Sequence, residues 1–214
     1  MLYVYLDIET TGLDIDKCNF TCGVAICNNV VFTFETAVSM VVYLTTLPKD
    51  AIVVTFNGLA FDLPFLAKKI AQASADVALT QKLAHLATHN HIDIMYAFAC
   101  TFGYFTSLQS FATPLKITKT WSGAAAAAST DLPKIIEYCT QDVKVLQQVH
   151  QHALTNGKLD RVTQRGHTST WTLLHSNQIP LVSQCSANIQ TMPPDQNWMD
   201  NPPNLADLSK WASM

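Results

Sequence analysis

Asp7 and Glu9 stand two residues apart in MLYVYLDIETTGL, within a run of apolar, β-favouring residues. Residues i and i+2 of a strand face the same way, so this spacing sets two carboxylates side by side near a strand end. Like charges that close repel, and each gives up hydration. Three arrangements tolerate such a pair: a bound metal ion, a shared proton, or exposure at a sheet edge. Two further acids enlarge the set. Asp62 lies in FNGLAFDLPFL, where a short apolar run gives way to a helical pattern. Asp142 lies in EYCTQDV, and Tyr138 precedes it by four residues, so both project from one helix face. Four carboxylates from two strand ends and one helix can converge on one pocket. An all-oxygen set of that kind suits Mg²⁺ or Mn²⁺, which bind through a few carboxylates plus water and phosphate.

The elements that must position these acids are read from periodicity and punctuation. Residues 2–8 alternate and predict a strand; 20–27 and 30–35 predict two more. Asn28-Asn29 joins that pair and tolerates the positive φ of a tight hairpin turn. Residues 36–47 read as a helix ended by Pro48. AIVVTF at 51–56 has the pattern of a strand buried on both faces, and Asn57-Gly58 breaks it. A helix follows over about 62–72, with Pro64 in its first turn. Residues 76–130 read as several helices, with Asp93 as N-cap of IMYAFAC and the Ala124–Ala128 run compatible with helix. A longer helix is expected from about Leu132 to His152, capped by Asp131, with Pro133 in its first turn and Gly157 past its end.

Regular patterns thin out after Gly157. Residues 158–214 hold two Pro-Pro pairs and tryptophans at 171, 198 and 211. They are too apolar for a free linker and are expected to pack on the domain as loops and short elements. The order of elements predicts an α/β protein: a mixed sheet, antiparallel meander plus parallel strands, flanked by helices. Domain 1–157 is then followed by an irregular C-terminal extension, 158–214.

Of the 214 residues, 49% are hydrophobic and 14% charged, with a net charge of −3. That balance argues against a broad, non-specific nucleic-acid coat, which needs a basic surface. It leaves room for an enzyme whose acidic site holds cations. None of the six cysteines forms a C-x-x-C pair, so they read as reduced core residues. No signal peptide and no run of about 18 apolar residues is visible, which predicts a cytoplasmic protein with no membrane partner.

LDIETTGL, FNGLAFDLPFL and YCTQDV, in that order, resemble the three motifs of the DEDD superfamily of 3′→5′ exonucleases, built on the RNase H-like fold. Tyr138 resembles the tyrosine of the DEDDy branch. KITKTWSGAAAAASTDLPKIIEYCTQDVKVL is similar to small stand-alone relatives of the proofreading domain of family-B DNA polymerases. The resemblance covers about residues 1–155. It implies an enzyme with two divalent cations, Mg²⁺ or Mn²⁺, that releases nucleoside 5′-monophosphates from single-stranded ends, DNA preferred and RNA the alternative. It also implies roles. Asp7 bridges the two ions, Glu9 and Asp142 complete the site of the attacking water, Asp62 serves the second ion, and Tyr138 orients the water. Thr10, Thr11 and Leu13 fall where relatives contact the 3′-terminal nucleotide. Asn57 and Phe61 fall where relatives contact substrate near the second motif. Stacking and apolar contact tolerate any base, so no sequence specificity is expected. A reading from another class is a silent nucleic-acid-binding or assembly subunit; the presence of all four acids and the tyrosine speaks against it.

The remaining features carry blander readings. His85, His89 and His91 read as surface or capping residues, and Asp93 as a cap rather than a fifth ligand. Arg161, Arg165, His167 and Trp171 either hold phosphate and a base or belong to a packed appendage. The apolar stretch WMDNPPNLADLSKW suits a protein partner.

Overall fold

In the computed structural model, the described residues are 1–74, 77–117, 129–163, 165–173 and 177–189. The alternating run at the chain start forms β1 (Tyr3–Thr10). It pairs antiparallel with β2 (Phe20–Cys27), which pairs antiparallel with β3 (Val30–Phe34). Asn28 and Asn29 take φ of 50° and 62° between them, the turn that the sequence predicts. After α1 (Ala37–Thr45), β4 (Ile52–Thr55) returns to the other side of β1, parallel to it. Two helices, α2 (Asp62–Ser74) and α3 (Val77–His89), lead to the short β5 (His91–Asp93), parallel to β4. The sheet order is β3-β2-β1-β4-β5, the mixed α/β architecture expected. Helices α4 (Ile94–Phe102), α5 (Leu108–Ala112) and the long α6 (Leu132–Asn156) follow, then a β6–β7 hairpin (Lys158–Val162, Thr168–Thr172) and α7 (Val182–Ile189). The Ala124–Ala128 run and WMDNPPNLADLSKW lie outside the described residues.

β1 divides two cores by its alternation. Val4, Leu6 and Ile8 turn toward α1, α2 and α3. Tyr5 and its β2 neighbours Val24 and Ile26 turn toward α6 and α4. Burying one such aliphatic side chain is worth about 1.5–3 kcal/mol. A one-residue slip of β1 would turn that row onto the α6 face and drive Asp7 and Glu9 into the α1–α3 core, so packing fixes the register. Helix ends follow the caps read from sequence: Asp93 accepts from Tyr96 N, Asp131 from Lys134 N, and Gly157 ends α6 at φ 66°.

One strand and one histidine sit differently from their simplest reading. β5 interrupts the stretch expected to be all helix. His91, read as a surface or capping residue, is fully buried there. Its ring nitrogens meet Thr55 Oγ1 at 2.7 Å and the Ala87 carbonyl at 3.2 Å, which satisfies both polar atoms inside the core. Of the two readings of Trp171, packing holds: it is 4% exposed and meets Phe98 edge-on at 5.6 Å, so it offers no face to a base. His85 and His89 are exposed and stack on each other at 4.4 Å. Among the described residues, no helix is long and apolar enough to cross a membrane.

His150 of α6 lies wholly inside the core, 3.1 Å from Tyr5 Oη and edge-on to Tyr3. Burial pushes its imidazole down to about 4, against about 6.5 in an unfolded chain. The folded protein therefore binds this proton less readily than the unfolded one. Stability is complete above pH 6.5 and falls as pH drops toward 4, by about 3 kcal/mol. Urea unfolding at pH 7 and pH 4.5 should differ by about that much more in the wild type than in His150→Gln. Equal pH dependence in both would refute the assignment.

Candidate active site

The first acidic pair closes β1. Asp7 stands opposite Val24 and Glu9 opposite Cys22, and the register shifts between Glu9 and Thr10. Pairing thus changes just past the acids, the irregularity that re-aims side chains at a strand end. Both acids are half-buried on the α6 face. One carboxylate oxygen of each and the Cys139 sulfur lie within 4.8 Å of one another. Cys139 Sγ also sits 3.5 Å from the Asp7 carbonyl oxygen. Burial, then the Cys22 thiol and Asp7, raise the Cys139 pKa well above the usual thiol range, so this sulfur stays protonated and packs beneath the strand.

The second motif is a strand–turn–helix held by tertiary contact. Asn57 takes φ 71°. A Cβ on Gly58 would come within 2.5 Å of the Thr55 side chain, so the turn accepts only glycine there. The Asp93 carboxylate accepts from Asn57 N at 3.0 Å, Leu59 N at 2.9 Å and Tyr96 N at 3.0 Å. One acid thus caps α4 and staples the β4–α2 turn. Asp62, the first residue of α2, follows at 4% exposure. Its Oδ2 has no hydrogen-bond partner among the described residues. Burial, then the charges of Asp7, Asp93 and Glu9, lift its pKa well above the usual carboxylate range.

The third motif comes from α6, which packs on β1 and β2. Tyr138 and Asp142 share one face of the helix, and their side chains hydrogen-bond. Burial, then Asp142, Glu9 and Asp7, raise the phenol pKa. Tyr138 therefore keeps its proton and donates it to the carboxylate. Asp7 and Glu9 on β1 thus lie within electrostatic reach both of Asp62 on α2 and of Tyr138, which bonds Asp142, on α6.

Residues 4–154, which include all five, match the RNase_H superfamily. The chain belongs to the RNase_H superfamily. Comparison with curated protein sequences found no match. Among solved structures, the chain is similar to exonuclease I, described in a study of its processivity, at 12% identity and a TM-score of 0.41, covering 79% of this chain and 51% of that one. It is also similar to the zinc-ion-bound E. coli exonuclease I complex with single-stranded DNA, at 13% identity and a TM-score of 0.42, covering 79% and 50%. The E. coli exonuclease I complex with a dA16 oligonucleotide matches at 14% identity and a TM-score of 0.41, covering 79% and 50%. The chain spans about half the length of these exonuclease I chains.

In this RNase_H-superfamily domain the donor set fits divalent cations. The four candidate acids offer carboxylate oxygens, and one buried oxygen on Asp62 has no partner among the described residues while Asp7, Asp93 and Glu9 stand near it. A bound cation offsets repulsion and desolvation together. Asp93 engages both its oxygens with three N–H donors, which matches a cap rather than a fifth ligand.

The residues expected to touch substrate are dispersed around the acids. Thr10 is buried and donates to the Gly12 carbonyl at 2.6 Å. Thr11 ties off the following loop through Asn19, its N–H donating to the Asn19 carbonyl and its Oγ1 accepting from Asn19 N. Leu13, 87% exposed, projects from that loop, and the Asp16–Lys68 ion pair fastens the loop to α2. Asn57 lines a cavity of about 1100 Å³ together with Asp7 and Asp142. Phe61 is half-buried against the α1–α3 core, its ring parallel to Phe65 at 6.2 Å. Phe56 and Phe105 line the same cavity and escaped the sequence reading. Phe56 ends an apolar run whose other members are core, and Phe105 has no pattern around it.

Proposed function

We propose that this chain is a divalent-cation-dependent 3′→5′ exonuclease that releases nucleoside 5′-monophosphates from single-stranded DNA. The observation that carries this reading is Asp62: a buried carboxylate whose Oδ2 has no partner among the described residues, its proton affinity raised by burial and then by acids that include Asp7 and Glu9, from a motif more than 50 residues away. A fold keeps such a cluster when its charge is used. DNA is preferred because the motifs resemble polymerase-associated relatives.

Asp7, Glu9, Asp62 and Asp142 would hold two ions, Mg²⁺ or Mn²⁺, which would stabilise the attacking and leaving oxygens of an in-line displacement. Tyr138 keeps its proton at neutral pH, so its role is to orient the attacking water rather than to act as a base. Leu13, exposed on the loop after β1, wedges against the terminal base. Thr10 and Thr11 hold that loop where the terminal 3′-OH is received, and Asn57 and Phe61 contact the strand near Asp62. Water adds to phosphorus, the 3′-oxygen of the preceding nucleotide leaves with a proton, and one 5′-monophosphate departs. Residues 1–157 carry this chemistry, and 158–214 extend the domain.

The direct test uses 5′-labelled single strands of DNA and RNA with Mn²⁺, Mg²⁺ or EDTA. A ladder shortening from the 3′ end, only with metal, is the expected result, with DNA cut faster. Intact strands under every condition would overturn the reading and favour the silent binding subunit. Metal occupancy has a readout of its own. An ion at about 100 times its Kd adds about 2.7 kcal/mol, which raises the melting temperature by roughly 5–10 °C in a chain of this size. A melting temperature unmoved by millimolar Mn²⁺ would remove the ions.

A further inference from the structure

The cavity that reaches Asp7 and Asp142 is also lined by Arg161, Arg165 and His167 of the β6–β7 hairpin. The chain carries more acids than bases, so this grouping does not reflect a general basic excess. Arg161 is built in. Its Nε donates to Thr106 Oγ1 at 2.7 Å and its Nη1 to Tyr104 Oη at 3.2 Å. The guanidinium lies over the rings of Tyr104 and Phe98, 5.1 and 5.5 Å from their centroids. Its partners are neutral, and no carboxylate pairs with it among the described residues. A guanidinium has five N–H donors in a fixed fork, so this one keeps its charge and most of its donors.

The hairpin is anchored rather than draped. Leu159 and Trp171 face each other across it and are buried in the α6-side core. Its tip is a closed turn: Gly166 N donates to the Thr163 carbonyl at 2.9 Å and His167 N to Thr163 Oγ1 at 3.0 Å, with Gly166 at φ 80°. Arg165 and His167 stand exposed on that turn. The cavity, about 1100 Å³, exceeds the roughly 300–1000 Å³ common for single small ligands. Cationic donors and a carboxylate cluster in one cleft match a ligand with several phosphates: one at the acids, through cations, and its neighbours at the hairpin.

We propose that the β6–β7 hairpin is the cationic wall of the cleft, with Arg161 as a fixed ligand and Arg165 and His167 as outer ligands for phosphodiesters of a single-stranded polynucleotide beside the one being cut. This rests on the exonuclease reading above. Recognition is through phosphate, so it carries no sequence preference and treats DNA and RNA alike; any sugar preference arises elsewhere in the cleft.

The test is fluorescence anisotropy with a 5′-fluorescein single strand of about ten nucleotides, its linkages phosphorothioates that resist hydrolysis, in Mg²⁺ over a range of salt. Arg165→Ala/His167→Ala should weaken binding about tenfold. It should also lower the slope of log affinity against log salt by about 0.7, the value for one lost single-strand phosphate contact. Adding Arg161→Gln should weaken binding about tenfold more, with the fold checked by circular dichroism. Losses should be equal on DNA and RNA. If the wild type binds and trims strands but the Arg165→Ala/His167→Ala protein keeps its affinity and slope, the hairpin proposal falls and the exonuclease reading stands. If the wild type neither binds nor trims, both fall.

Discussion

Asp7→Ala is expected to lower turnover by at least about 10³-fold, the scale of losing a preorganised electrostatic element from a site. Its melting temperature in EDTA should hold or rise. Both outcomes follow from position. Asp7, like Glu9, raises the proton affinity of Asp62, Tyr138 and Cys139. Its backbone is held in β1 opposite Val24 whatever the side chain. Without metal the side chain adds repulsion to a half-buried cluster, so its removal relieves the apo fold. On the proposed reading the same side chain becomes a ligand when metal binds, and the variant should lose most of the Mn²⁺-induced stabilisation. Turnover within tenfold of the wild type would take Asp7 out of the chemistry.

Asp93→Ala is expected to cost about 4 kcal/mol, a purely structural loss. A lost N-cap costs about 1 kcal/mol. Each charge-assisted hydrogen bond to Asn57 N and Leu59 N contributes about 1.5–3 kcal/mol, and its removal orphans a backbone N–H. Domains of ordinary size have about 5–15 kcal/mol in all, so the variant should be near its threshold at 37 °C. Asp93→Asn distinguishes this account from a charge effect. One amide oxygen can keep the bonds to Asn57 N and Tyr96 N, both made by Oδ1. The amide nitrogen cannot accept from Leu59 N, so about half the loss should remain. Urea unfolding of the two variants measures this, and a loss under 1 kcal/mol for Asp93→Ala contradicts it.

Local chemistry was legible where one residue's neighbours decide its state. The alternation of β1 puts Asp7 and Glu9 on one face, and the same alternation buries Val4, Leu6 and Ile8 on the other. Asn28 and Asn29 take the turn their side chains tolerate. Asp93 caps the helix it precedes. Its grip on Asn57 and Leu59 was hidden, because it spans 36 and 34 residues. β5 has three residues and no period to read. His91 is buried only because Thr55 and Ala87, distant or on another element, satisfy its nitrogens. The rings around Arg161 come from 98 and 104, so nothing near 161 signals a fixed guanidinium.

The division of the acids between β1, α2 and α6 also bears on synthesis. Translation proceeds at about 5–20 residues per second, so roughly 10 s separates the emergence of Asp7 from that of Asp142. Until α6 is made, β1 and β2 lack the helix that covers their Tyr5, Val24 and Ile26 face. A nascent chain bearing the first two motifs therefore exposes an apolar sheet surface and holds only three of the four acids. If the chain is the nuclease proposed above, strand cutting and complete folding are then one late event, and the chemistry stays off the ribosome while the chain is still being made.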